Sequence, residues 1–372
     1  MNAGIFILQS SVFRFGLDNV LGENLDGNIG IVTNSSGVTY DLEQNIEFLL
    51  RNGISVVKIF SPEHGFYGTE ANGAKIEDSI YNGVTVISLY GDKVEPSEAD
   101  LSEIDSILFD LQDAGVRFYT YISTLYNVMK ACSRHDIPLI VCDRPNPINA
   151  TVVDGPILAD RYKSFVGIDN LPVRYGLTIG ELAQFFNRKV HANLRVARMT
   201  GYYRNTYFDD LIPWFVPPSL NLPSVEAMIN YSGLCLLEAT NLSVGRGTPY
   251  PFSQFGFPAM KSLLFGTRGV KLRRTRFRPL IDPHGNEVVD GYFIHITDRR
   301  NYNPILLSLE IISQMLDTEG FIVNFEKLSR LYGSERIISY LNAGKSPAEI
   351  SEEWSDDRRS FIESTKDYRL YS

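Results

Sequence analysis

Cysteine is scarce in this chain. The three residues, Cys132, Cys142 and Cys235, contain no C-x-x-C pair and cannot all pair with one another, so no disulfide framework is expected. The five histidines stand at 64, 135, 191, 284 and 295, with neither H-x-x-x-H nor H-E-x-x-H spacing, and a dedicated zinc site has no support. No apolar run approaches the ~20 residues of a membrane-spanning helix. Positive charge is also in deficit: 35 Lys and Arg against 44 Asp and Glu give a net charge of -9, which argues against a general nucleic-acid binder. The start, MNAGIFILQSSVFRFG, lacks a charged n-region and a full apolar h-region. A cytoplasmic location is therefore expected for the chain as written, and a periplasmic or secreted one if a leader has been removed. Two nucleotide signatures are absent as well. No G-x-G-x-x-G follows the first strand and no G-x-x-x-x-G-K-[ST] occurs anywhere, so neither a dinucleotide nor a P-loop cofactor is expected.

What is present is an ordinary globular composition, 44% hydrophobic and 21% charged over 372 residues, long enough for two domains. The first 150 residues alternate strand and helix. Apolar runs at 28–33, 55–60, 84–89, 106–111 and 138–142 are separated by helical spacing at 42–50 and 121–135. Near-continuous apolar strands between helices mean a parallel sheet covered on both faces, a Rossmann-like doubly wound α/β fold. Thr178 and Glu181 form a capping box at the head of a further helix, and 193–199 is a candidate strand. The Pro-rich stretch 214–223 walls a cleft or links domains. Beyond it the texture changes, with strand-like VKLRRTRF and GYFIHITD and then helices near 304–316, 334–341 and 347–365. The reading is a catalytic domain over 1–225 and a smaller α+β domain over 226–372 that completes a cleft. The basic run 268–278 alternates along a strand and reads as a solvated face.

In open parallel sheets ligands bind beyond the carboxyl ends of the strands, and those ends here are polar. The second strand runs into Ser61-Pro62-Glu63-His64-Gly65, the fourth into Asp110-Leu111-Gln112-Asp113, and the fifth into Asp143-Arg144-Pro145-Asn146-Pro147. Glu63 is a candidate general acid or a loop carboxylate. Asp113 and Asp143 could converge on it, since carboxylate pairs serve glycoside hydrolysis, or could pair with Arg117 and Arg144. The same carboxylates would suit Mg²⁺ and phosphoryl chemistry. Phe118-Tyr119-Thr120-Tyr121 supplies rings that stack on sugars or fill a core. Asn241 to Thr248 places Arg246 between two glycines, where its guanidinium could clasp a carboxylate.

Together these phrases resemble one family. Ser61-Pro62-Glu63-His64-Gly65, Asp110 to Asp113 with Gly115, Arg117 and Phe118 to Tyr121, Asp143 to Pro147, Thr178 with Gly180-Glu181-Leu182, and Glu238 with Thr240-Asn241, Ser243 and Gly245 to Thr248 are similar to the motifs of exo-β-N-acetylmuramidases of the NamZ type, also described as the DUF1343 domain. The resemblance implies a Rossmann-like catalytic domain, a smaller C-terminal domain and an active site between them. It implies Glu63 as catalytic glutamate, and release of terminal N-acetylmuramic acid from the non-reducing end of peptidoglycan fragments or muropeptide-derived disaccharides. Asn34, His64, Arg117, Tyr119, Tyr121, Arg144, Asn146, Glu238, Asn241 and Arg246 are the substrate-binding candidates, with Asp113 and Asp143 beside Glu63 as catalytic ones. Tyr67, Tyr175 and Ala239 depart from the residues frequent in the family at those places (Arg, His and Gly). A Mg²⁺-dependent phosphohydrolase and a non-catalytic cell-wall binding module are the alternatives.

Overall fold

The computed structural model describes residues 12–23, 25–70, 73–74, 77–258 and 260–372; most of the segment read for a leader lies outside them. Six parallel strands carry the first unit: β1 (Asn28–Thr33), β2 (Ser55–Ser61), β4 (Val84–Ser88), β5 (Ser106–Asp110), β6 (Leu139–Cys142) and β9 (Leu194–Ala197). A short antiparallel edge strand, β3 (Ser79–Tyr81), completes a seven-stranded sheet of order β3-β4-β2-β1-β5-β6-β9. Counting only the parallel strands, chain order 3-2-1-4-5-6 is the doubly wound arrangement, and its switch point falls between β1 and β5. The central strands are buried on both faces, which is why they read as unbroken apolar runs. The helix Ile179–Val190 opens with the anticipated box: Thr178 Oγ1 accepts from Glu181 N at 3.2 Å and Glu181 returns the bond to Thr178 N at 3.0 Å.

Two further strands, β7 (Val153–Asp154) and β8 (Arg174–Tyr175), pair in the long connection between β6 and β9. After the Pro-rich stretch the second unit begins with the helix Val225–Leu234. An antiparallel sheet of β10 (Gln254–Phe257), β12 (Val289–Ile296) and β11 (Val270–Phe277) follows, in that spatial order. The basic strand β11 is largely solvated, and Arg276 pairs with Asp290 across the ladder at 2.6 Å. Helices Pro304–Met315, Phe325–Tyr332, Arg336–Asn342, Pro347–Glu352 and Ser355–Ser364 close the unit. The single helix expected over 347–365 is two, because Trp354 turns inward between them, where its indole donates to the Tyr332 hydroxyl at 2.7 Å. No helix of the described residues is long and apolar enough to cross a membrane.

Candidate active site

At the end of β2 the proline stops the ladder and the chain turns sharply, Gly65 N donating to Pro62 O at 3.1 Å. His64 and Gly65 both take left-handed backbone angles, φ +74° and +73°, an uncommon conformation for histidine. His64 is held there by Nδ1 against Glu70 O at 2.9 Å and by its own carbonyl, which accepts from Glu70 N at 3.1 Å. Strain of this kind costs about 1–3 kcal/mol and persists where the surroundings over-determine it. The turn delivers the Glu63 side chain, only 4% exposed, to the wall of a cavity of about 500 Å³. Thr120 Oγ1 donates to Glu63 Oε2 at 2.6 Å, and Gly73 N approaches Oε1 at 3.3 Å. Burial, with the adjacent Glu63 carboxylate, pushes the Tyr90 hydroxyl up to about 12, so that neighbour remains a hydrogen-bond donor at neutral pH.

Both units build the cavity. Phe118, Tyr119 and Thr120 come from the β5 side, and Ser219 and Asn221 from the Pro-rich stretch, which does wall a cleft. Tyr231 and Phe252 of the second unit meet them ring to ring, Phe118 to Tyr231 at 5.1 Å and Tyr231 to Phe252 at 4.8 Å. Arg246 lies on the same wall, its guanidinium 4.9 Å from the centre of the Phe252 ring, and its Nε donates to Glu238 Oε1 at 2.5 Å. Burial opposes the Arg246 charge, but the Glu238 carboxylate outweighs it and the guanidinium pKa is raised. Arg246 is thus committed to Glu238 through Nε, rather than wholly free as the Gly-Arg-Gly turn suggested.

Of the residues expected from sequence, Glu63, His64, Tyr119, Glu238 and Arg246 line this cavity. Others stand at the same sheet edge but face into the protein, and the convergence of Asp113 and Asp143 on Glu63 within one cleft is not what the structure has. Asp113 Oδ2 accepts from Gly115 N at 2.7 Å and from the Tyr175 hydroxyl. Asp143 accepts from Thr178 Oγ1 at 2.8 Å, Gly180 N at 2.7 Å and Tyr371 Oη at 2.6 Å. A Cβ on Gly180 would lie 2.7 Å from the Asp143 carboxyl carbon, so only glycine lets the helix head come this close. Arg144 is spent on Asp110 at 2.6 and 2.9 Å and on Val38 O at 2.8 Å. These partners take both oxygens of Asp110 and of Asp143, while Asp113 Oδ1 is buried without a hydrogen-bond partner among the described residues. Among the described residues no three His, Cys, Asp or Glu side chains are grouped to hold a metal ion.

Arg117 is fully buried. It donates to the carbonyls of Pro156 and Leu171 in the first unit and of Leu331 and Tyr332 in the second, all within 3.0 Å. A Cβ at Gly333 (φ +97°) would press within 2.9 Å of the guanidinium. Arg117 therefore joins the units and holds the cavity together from behind. Asn34 bonds the Tyr121 hydroxyl at 2.6 Å, and Tyr121 in turn donates to Pro218 O at 2.7 Å, fixing the Pro-rich wall. Asn146 spans Leu177 O and Ile148 N, and Asn241 spans Gly320 O and Ile322 N, each tying loops together. Tyr90, Tyr231 and Lys327 line the cavity without having been singled out. Tyr90 was within reach of sequence reasoning, since it follows a strand end; the other two are brought in by the tertiary fold.

Burial lifts Asp113 to about 6, against the hydrogen bonds from Tyr175 and Gly115. The ordinary unfolded value is near 3.9, so between those values the folded state keeps a proton that the unfolded chain releases. This group therefore removes stability as pH rises from about 4 to about 6. In urea titrations across that window, Asp113→Asn is expected to flatten the decline; an unchanged slope would show that Asp113 ionises without penalty.

The chain matches the family model described as "Exo-beta-N-acetylmuramidase NamZ, N-terminal" over residues 29–226 and its C-terminal counterpart over 229–371. It is similar to the peptidoglycan beta-N-acetylmuramidase NamZ of Bacillus subtilis, 35% identical over 377 residues that span 96% of this chain and 91% of that protein. Two crystal structures of DUF1343 family proteins from Bacteroides fragilis share the fold. One is 26% identical with a TM-score of 0.86 and the other 30% identical with 0.81, each comparison covering 97% of this chain and 99% of the other. With both halves matched in order and the likeness running nearly end to end, the chain belongs to the NamZ family of exo-β-N-acetylmuramidases.

Proposed function

We propose that this protein is a glycoside hydrolase of peptidoglycan that releases terminal N-acetylmuramic acid from the non-reducing end of its fragments, with Glu63 as general acid and base. One observation carries the assignment to Glu63. Of the three glutamates that line the cavity among the described residues, Glu238 is bonded to Arg246 and Glu326 to Arg330, and Glu63 has no cationic partner among those residues. Thr120 holds one of its oxygens, so the carboxyl has a fixed orientation, with no neutralising charge from the described residues. A carboxyl so placed can protonate the glycosidic oxygen as the bond to the anomeric carbon breaks, then take a proton from the incoming water. The aromatic side chains on the wall are of the kind that packs against a sugar.

The test is incubation with a chromogenic β-N-acetylmuraminide, with the corresponding glucosaminide as control. Preferential release from the muraminide is the expected result. Retention on insoluble peptidoglycan with no release from either compound would favour the binding-module reading instead.

A further inference from the structure

N-acetylmuramic acid differs from N-acetylglucosamine by a 3-O-lactyl group, which is a methyl and a carboxylate on one carbon. A cavity that selects it must offset that negative charge, because an unpaired anion loses hydration on entry. Among the described residues, the Asp, Glu, Lys and Arg side chains on the wall are Glu63, Glu238, Glu326, Arg246, Lys327 and Arg330. Arg246 is paired with Glu238 at 2.5 Å and Arg330 with Glu326 at 2.9 Å. What is left is one carboxyl, Glu63, and one ammonium, Lys327, which has no ion pair or side-chain hydrogen bond among the described residues.

The position of Lys327 supports a recognition role. It lies in the first turn of the helix Phe325–Tyr332, whose start is capped by the Asn324 side chain accepting from Lys327 N at 2.9 Å. The far end of that helix is gripped by Arg117 through the Leu331 and Tyr332 carbonyls. The backbone beneath Lys327 is therefore anchored at both ends while its ammonium stays uncommitted. Lys327 also borders a second chamber of about 290 Å³, which shares Asn221, Glu238, Arg246 and Lys327 with the catalytic cavity. Leu242, Val244, Ile281 and Pro283 give this chamber an apolar wall, with Asp282 as its one acidic group not shared with the larger cavity.

We propose that the ammonium of Lys327 receives the lactyl carboxylate at the junction of the two chambers, with the methyl turned to the apolar wall of the smaller one. Arg246 contributes N–H donors from a guanidinium already neutralised by Glu238, whereas Lys327 supplies the net charge. This assignment rests on the reading of the protein as a muramidase.

The experiment compares two chromogenic β-N-acetylmuraminides, one with the free lactyl carboxylate and one with it converted to the neutral methylamide. The quantity read is the ratio of their kcat/KM values within each enzyme, so a partial loss of folded protein cancels. The wild type is expected to favour the acid by about ten- to hundredfold, the range of a charge-assisted hydrogen bond. Lys327→Met should bring the ratio close to one, and Lys327→Arg should retain most of it. The wild-type preference should also shrink as ionic strength rises. A wild type indifferent to the amide, or a Lys327→Met enzyme with the wild-type ratio, overturns the assignment to Lys327. If the wild type cleaves neither compound, the muramidase reading fails instead.

Discussion

Glu63→Gln is expected to fold normally and to lose about 10²–10⁴-fold in turnover on a β-N-acetylmuraminide, the range that general acid–base catalysis supplies. The substitution is nearly isosteric. Its amide oxygen can still accept from Thr120, whose hydroxyl now bonds Glu63 Oε2 at 2.6 Å, and it takes no partner from a buried cation among the described residues. Thermal unfolding should therefore stay close to wild type while turnover falls. The loss should appear mainly in kcat, since a group that transfers a proton as the bond breaks acts in the transition state. A folded Glu63→Gln enzyme with near-normal rates would sink the acid–base assignment and redirect attention to the other carboxylates of the wall.

The second large effect is on stability. Arg144 and Asp110 are 2% and 0% exposed and share a forked pair, with a further bond from Arg144 to Val38 O and the guanidinium 4.7 Å from the Phe15 ring centre. Arg144→Met leaves the Asp110 carboxylate buried with only Asn45, at 2.7 Å, still donating to it. Breaking one side of such a pair typically costs about 3–5 kcal/mol. Replacing both members, Arg144→Met with Asp110→Leu, should recover much of that loss, because the uncompensated charge is gone. Denaturant midpoints of the two single variants and the double variant measure the coupling. If Arg144→Met instead lowered activity at unchanged stability, Arg144 would be a substrate ligand, as its place at a strand end suggested.

Legibility in the sequence followed the range of the interactions involved. The parallel sheet was readable because burial on both faces leaves a local mark, an unbroken apolar run such as Asn28–Thr33. The head of the helix at Ile179 was readable because Thr178 and Glu181 satisfy each other within one turn. The place of Glu63 on the cavity wall was readable because a strand stop, a proline and a glycine surround it. The roles of Asp143, Arg117 and Arg144 were not, since a polar residue at a strand end looks the same whether it faces a cavity or the interior. What decides is a distant partner: Tyr371 reaches Asp143 across 228 positions, and Leu331 accepts from Arg117 across 214. The helix Phe325–Tyr332 did leave a local signal, with Asn324 as cap and Gly333 in the left-handed region at its end. At eight residues it is short for periodicity to register.

The bond from Tyr371 to Asp143 has a consequence for how the chain comes into being. The same terminal segment gives Leu370 N to Glu181 at 2.9 Å, and Ser372 O accepts from Arg204 N at 3.1 Å. During synthesis every strand of the parallel sheet leaves the ribosome well before these residues do. Domains generally begin to fold as they emerge, but here the buried carboxylates of Asp143 and Glu181 must wait for donors 228 and 189 positions further along the chain. The nascent first unit thus lacks these bonds until the whole second unit has been synthesised and residues 370–372 are brought back against the sheet.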